Sequence, residues 1–74
     1  MTNYKQNCLT ALQNFIQEAT NENKLELYVA YEEIEEEDKR MAELGQELVQ
    51  VFSRILYQNQ HDDTFLYQLK ALYF

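Results

Sequence analysis

Apolar side chains recur every three or four residues along most of this chain, as they do on the buried face of an α-helix. The longest such pattern, the central stripe, runs from Leu27 to Ile55 in alternating steps of four and three. That spacing averages about 3.5 residues, the repeat that keeps one helix face against a partner helix. The stripe therefore predicts a long helix with a covered face. Its positions are Leu27, Tyr31, Ile34, Asp38, Met41, Gly45, Leu48, Phe52 and Ile55.

A polar interruption separates a first helix from a second. Asn3 is the predicted N-cap of a helix over residues 3–20. Asn23, with Glu26 three positions later, matches a capping-box variant and predicts the start of the next helix. Because the chain contains no proline, this second helix is expected to run over residues 24–57.

A second polar interruption, at residues 58–63, precedes a short helix. Asp62, Asp63 or Thr64 can accept a hydrogen bond from its first-turn amides. The predicted helix covers residues 64–73.

Two features of the central helix leave alternatives open. Residues 25–31 have a composition that also suits a short strand, although their apolar positions do not alternate cleanly. Gly45 is unfavourable in a helix interior. It is consistent with a kink or with the close approach of another helix.

The predicted fold is all-α and forms one domain over residues 1–74, a helical hairpin with a long central helix and a short C-terminal helix. At about 1.5 Å per residue the central helix would be about 50 Å long, so each cross-section would contain only two helices. A chain of 74 residues buries only roughly 60% of its unfolded surface. The single Cys8 cannot form an internal disulfide. We therefore expect two chains to pair as a homodimer and complete a bundle.

The C-terminal half of the central helix is apolar on more than one face, and the chain end is rich in aromatic residues. Broad apolar surfaces of this kind are typical of contacts with another protein. The predicted partner-binding residues are Met41, Leu44, Leu48, Val49, Val51, Phe52, Ile55, Leu56, Tyr67, Tyr73 and Phe74.

The net charge of −7 argues against direct binding to nucleic acid or to an anionic membrane, because both need local positive charge. No apolar run resembles a signal peptide or a membrane span. One unpaired cysteine suits a reducing compartment. The expected location is the cytoplasm.

Few residues in the sequence are candidates for a metal site or a catalytic role. Glu33 lies one turn from Glu36 or Glu37, as metal-binding carboxylates do, but the Glu-x-x-His motif of di-metal bundles is missing because Gln58 precedes His61 by three. Asp38, on the central stripe, fits either a solvated carboxylate or a polar residue that sets register. We therefore predict no metal, no cofactor and no enzymatic activity.

Cys8 falls on the apolar face of the first helix, and the only histidine lies in a distant interruption. A small buried side chain is the expected role of this cysteine, since a nucleophilic thiolate needs a base or positive charge beside it.

The sequence thus favours a small acidic interaction module of chaperone, adaptor or inhibitor type, whose partner is another protein or a second copy of itself. The alternative is an acidic decoy, a mimic of nucleic acid or an antitoxin-like neutraliser of a basic protein. Binding by a decoy would weaken steeply with salt, whereas apolar association would persist.

Overall fold

The chain folds into helices joined by short connections. The structure is a computed structural model that describes residues 3–35 and 38–74, and side chains over 3–34 and 41–74. No strand occurs in those described ranges, which confirms the all-α prediction. The helices are α1 (Tyr4–Gln17), α2 (Asn21–Glu35), α3 (Asp38–Leu44), α4 (Gln46–Tyr57) and α5 (Asp63–Tyr73). Of these helices, none is long and apolar enough to cross a membrane.

Helix α1 begins as the sequence predicts and ends three residues earlier. The side-chain oxygen of Asn3 accepts a hydrogen bond from the Gln6 amide at 3.0 Å, which confirms the N-cap. At the other end, Glu18 leaves the helix with φ −147° and ψ 103°. The Asn23 side-chain amide donates to the carbonyl oxygens of Asn14 and Glu18, at 3.2 and 2.8 Å. These bonds satisfy carbonyl groups at the end of the helix.

Helix α2 begins at Asn21, not at residue 24. The hydroxyl oxygen of Thr20 accepts from the Asn23 amide at 3.2 Å, so the capping box predicted for Asn23 and Glu26 is wrong. Thr20 is the more effective cap because the Asn23 side chain is engaged with the end of α1. Residues 25–31 are helical, which excludes the strand alternative.

The central helix predicted over residues 24–57 is interrupted at Gly45, in agreement with the kink that the sequence left open there. This residue has φ 98° and ψ 141°, a conformation outside the helical region. Its amide still donates to the Met41 carbonyl at 3.1 Å, and its carbonyl accepts from the Val49 amide at 3.0 Å. A single glycine therefore separates α3 from α4. Helix continuity through residues 36 and 37 lies outside the described part of the chain.

The helices on the two sides of Gly45 pack against the rest of the chain. Helix α1 packs against α2, α3 and α5, and α2 packs against α4. The molecule measures 31 × 23 × 23 Å with a radius of gyration of 11.4 Å, close to the value of about 11 Å for a compact domain of this length. The extended hairpin, only two helices thick, is therefore wrong.

Six of the nine positions of the central stripe are buried in this single-chain core. Leu27 and Ile34 of α2 and Ile55 of α4 are fully buried. The ring of Tyr31 stacks on that of Phe52, with centroids 5.4 Å apart and planes 10° apart. The face that was expected to need a partner helix therefore finds one within the same chain. The other core residues are Cys8, Ala11, Leu12, Phe15, Leu44, Leu48, Phe65, Leu66 and Leu69.

Side-chain hydrogen bonds fix both ends of the connection from α4 to α5. Asn59 adopts φ 52°, a left-handed conformation that asparagine tolerates, and its side-chain oxygen accepts from the Lys24 ammonium at 2.6 Å. Asp62 caps α5 by accepting from the Phe65 amide at 2.7 Å. The last helix is thus confirmed, beginning one residue before its predicted start.

Candidate partner-binding surface

Four of the predicted partner-binding residues serve the chain's own core. Leu44, Leu48, Phe52 and Ile55 are each less than 5% exposed. In this fold no second protein can reach them without opening the molecule. The sequence places them on a broad apolar helix but does not show which helices of the chain cover it.

The other predicted partner-binding residues lie at or near the surface. Tyr67 and Phe74 are exposed, and a further five are partly buried against the core. These five are Met41, Val49, Val51, Leu56 and Tyr73.

Helix α2 carries an exposed apolar surface that sequence analysis missed. Leu25 is 63% exposed, Val29 is 50% exposed and Tyr28 is 41% exposed. The central stripe uses a different side of α2, so these residues were left without a role. Their signal in the sequence was a second pair of apolar positions four residues apart, Leu25 and Val29, out of phase with the stripe.

A groove runs between α1 and α2 along this exposed surface, with a volume of about 430 Å³. Leu25 and Val29 border it from α2, and Ala11 and Ala30 contribute small side chains that let the two helices approach closely. Polar residues of α1 and carboxylates of α2 complete it. We call it the α1–α2 groove; its lining is Asn7, Thr10, Ala11, Asn14, Leu25, Glu26, Val29, Ala30 and Glu33.

A second, smaller depression adjoins the first. It has a volume of about 260 Å³ and brings Leu25 and Tyr28 of α2 beside Leu56 of α4. Because Leu25 lines both depressions, the apolar surface is continuous from Val29 across Leu25 and Tyr28 of α2 to Leu56 of α4. Contiguous apolar surface, in contrast to single exposed side chains, is typical of contact sites.

The electrostatic character of this surface is acidic. Glu22, Glu26, Glu32 and Glu33 are all exposed on α2. The one basic residue within α2, Lys24, is held by the side chain of Asn59. A partner for this surface therefore meets carboxylates next to apolar side chains.

The C-terminal helix forms a separate groove with α4, of about 330 Å³. Val51, Leu72 and Tyr73 are among its lining residues, and the guanidinium of Arg54 lies 5.9 Å from the centroid of the Phe65 ring. Burial and, secondarily, the charge of Glu47 raise the pKa of Tyr73. Its hydroxyl is therefore neutral and available as a hydrogen-bond donor or acceptor at physiological pH.

Cys8 is fully buried, which confirms its expected position. Its sulfur lies 3.7 Å from the Ala30 carbonyl oxygen. Burial, with a smaller contribution from the charge of Glu33, raises the pKa of the thiol to about 11. The thiol is therefore protonated at neutral pH, the form that is a poor nucleophile.

We expect Cys8 to resist thiol reagents while the chain is folded. A rise in pKa from 9.0 to about 11 lowers the thiolate fraction at pH 8 by about 100-fold, and burial lowers the rate further. The rate of labelling by iodoacetamide at pH 8, native and in concentrated urea, measures this effect. Equal rates in the two conditions would contradict the buried, protonated thiol.

The candidate metal residues are only partly within the described chain. The described residues contain no group of three or more His, Cys, Asp or Glu side chains suited to a metal ion. Glu36, Glu37 and the side chain of Asp38 lie outside the described part. His61 is exposed, with its ring edge-on to Phe15 at a centroid distance of 5.9 Å.

Comparison with known proteins identifies no relative. No protein-family model, curated protein sequence or solved structure matches this chain.

Proposed function

We propose that this chain is a small non-enzymatic module that holds another protein on its exposed apolar surface, as a chaperone, adaptor or inhibitor does. The observation that supports this proposal is the exposed apolar surface formed by Leu25, Tyr28 and Val29, which the fold leaves uncovered. A chain that has covered its own core has no folding requirement for a second apolar surface.

The size of the surface suits a modest, reversible contact. Full burial of an aliphatic side chain is worth about 1.5–3 kcal/mol, and tyrosine is a frequent anchor residue at protein interfaces. Leu25, Tyr28 and Val29 together can therefore supply several kcal/mol before the entropic cost of association. The exposed Tyr67, Leu72 and Phe74 offer a second contact area.

Photo-crosslinking in the native cell tests this proposal. The photoreactive residue p-benzoylphenylalanine is placed singly at Val29, at Leu72 and, as a control on an exposed polar position of α3, at Glu43. We expect a discrete covalent adduct from Val29 or Leu72 and none from Glu43. Absence of an adduct at both apolar positions would contradict the proposal.

The same experiment identifies the kind of partner. An adduct of twice the chain mass indicates a second copy, and sedimentation equilibrium of the purified chain would then show a dimer. Any other mass indicates a different protein.

The exposed carboxylates of α2 favour a second candidate, an acidic decoy that occupies the binding site of a basic protein. In that case charge alone would carry the affinity. Binding should then be lost near 1 M salt, where the screening length falls to about 3 Å. Apolar docking should persist under the same conditions.

A further inference from the structure

We propose that the α1–α2 groove receives an amphipathic helix of a partner protein, whose apolar stripe is flanked by lysine or arginine. This inference rests on the proposed function and names the chemistry of the partner. Two independent properties of the groove, its shape and its charge, define that occupant.

The groove has the length of a short helix. From Leu25 to Glu33 the axis of α2 rises about 12 Å, and from Asn7 to Asn14 that of α1 rises about 10 Å. A partner helix of about three turns covers this distance. Leu25 and Val29 are one turn apart, so they meet two apolar residues spaced three or four positions apart on the partner.

The charge of the groove selects a basic partner. Glu22, Glu26 and Glu33 lie within about 100° of Leu25 around the axis of α2, on the side of Ala30. Among the described residues that line the groove, two are carboxylates and none is basic. Lysine and arginine have long apolar stems and charged ends, so they can cover Val29 while their charge reaches the carboxylate of Glu22 or Glu26.

The α1 edge of the groove adds polarity without charge. Asn7, Thr10 and Asn14 line it. The side-chain amide of Gln6 donates a hydrogen bond to the Thr10 hydroxyl oxygen at 3.5 Å. A flanking cation therefore gains more on the α2 edge than on the α1 edge. The expected occupant has its basic residues concentrated on one side of the apolar stripe.

Selection from a displayed library of helical peptides tests this inference. The probe is a library with a fixed leucine stripe and randomised flanking positions, applied to the immobilised full chain. We expect the selected peptides to carry at least threefold more lysine and arginine at flanking positions than the input. Failure to select peptides, or selection without a basic bias, would overturn the inference.

Matched substitutions test whether the selected peptides bind in the α1–α2 groove. Val29→Asp is expected to weaken binding of the selected peptides at least tenfold, and Leu72→Asp, at a similarly exposed position on α5, to change it less than twofold. Glu26→Lys should reduce the preference for basic flanks at least threefold. Circular dichroism confirms that each variant is folded.

The two proposals fail in different ways. Peptides that lose binding with Leu72→Asp and not with Val29→Asp would overturn the groove assignment. An adduct at Leu72 in cells would still support protein binding in that case. Absence of any cellular adduct would contradict protein binding itself, whatever the peptides show.

Discussion

Replacing Phe52 with alanine is expected to lower the free energy of unfolding by about 3–5 kcal/mol, the usual cost of removing a buried phenylalanine. Phe52 is completely buried, and its ring stacks on Tyr31, so both the apolar burial and the ring contact are lost. A domain of this size has a total stability of about 4–11 kcal/mol. The substitution should therefore unfold a measurable fraction of the molecules at 25 °C.

Urea denaturation followed by circular dichroism measures this change. Phe74→Ala is the matched control, because it makes the same chemical change at a position that is 47% exposed. We expect it to cost less than about 1 kcal/mol. Equal effects of the two substitutions would contradict the assignment of Phe52 to the core.

The same variant separates a single-chain core from a stripe buried between two chains. If Phe52 lay at a dimer interface, its replacement would yield a folded monomer of half the original mass. With the stripe inside one chain, Phe52→Ala should lose helical content without that change in mass. Sedimentation equilibrium alongside circular dichroism distinguishes the two results.

The sequence was sufficient for the elements whose signals are local. The cap at Asn3, a cap of α5 at Asp62, Asp63 or Thr64, and the spacing of the central stripe follow from short-range rules of spacing and hydrogen bonding. The structure confirms Asn3, selects Asp62 among the three candidates and buries six of the nine stripe positions. The cap of α2 was harder to predict from local rules. The side chain of Asn23 is hydrogen-bonded to the end of α1, which is a tertiary contact, and Thr20 is the cap instead.

The binding surface was less predictable for a physical reason. Which helix covers an apolar face depends on how the chain folds back, and Gly45 is one position where the backbone leaves the helical path. A continuous central helix leaves Leu48 and Phe52 partly uncovered, whereas the broken helix buries both. The sequence therefore predicted the apolar positions of α4 but not that the chain itself buries Leu48 and Phe52, and it passed over Leu25 and Val29.

Gly45→Ala is expected to lower the free energy of unfolding of the monomer by about 1–3 kcal/mol. The φ of 98° at this position is strained for any L-residue with a side chain. A Cβ here would meet no atom within 4 Å, so the cost arises from the backbone and not from a steric clash with neighbours. Urea denaturation measures it, with Gln46→Ala at the adjacent exposed position as the control.

The substitution should also change the association state. Alanine is about 1 kcal/mol better than glycine inside a helix, so it favours the straight form in which α3 and α4 are continuous. Straightening separates α4 from α2 and uncovers Tyr31 and Phe52. A second chain can supply the missing α4, which produces a domain-swapped dimer.

Sedimentation equilibrium over a range of concentrations tests this result. We expect Gly45→Ala to show a dimer fraction that increases with concentration, and Gln46→Ala to match the unsubstituted chain. A synthetic chain with D-alanine at position 45 provides a further control, because a D-residue accommodates positive φ better than an L-residue does. It should be more stable than the L-alanine chain and form less dimer. If the D-alanine and L-alanine chains behave alike, the backbone of Gly45 does not determine how the chain folds back.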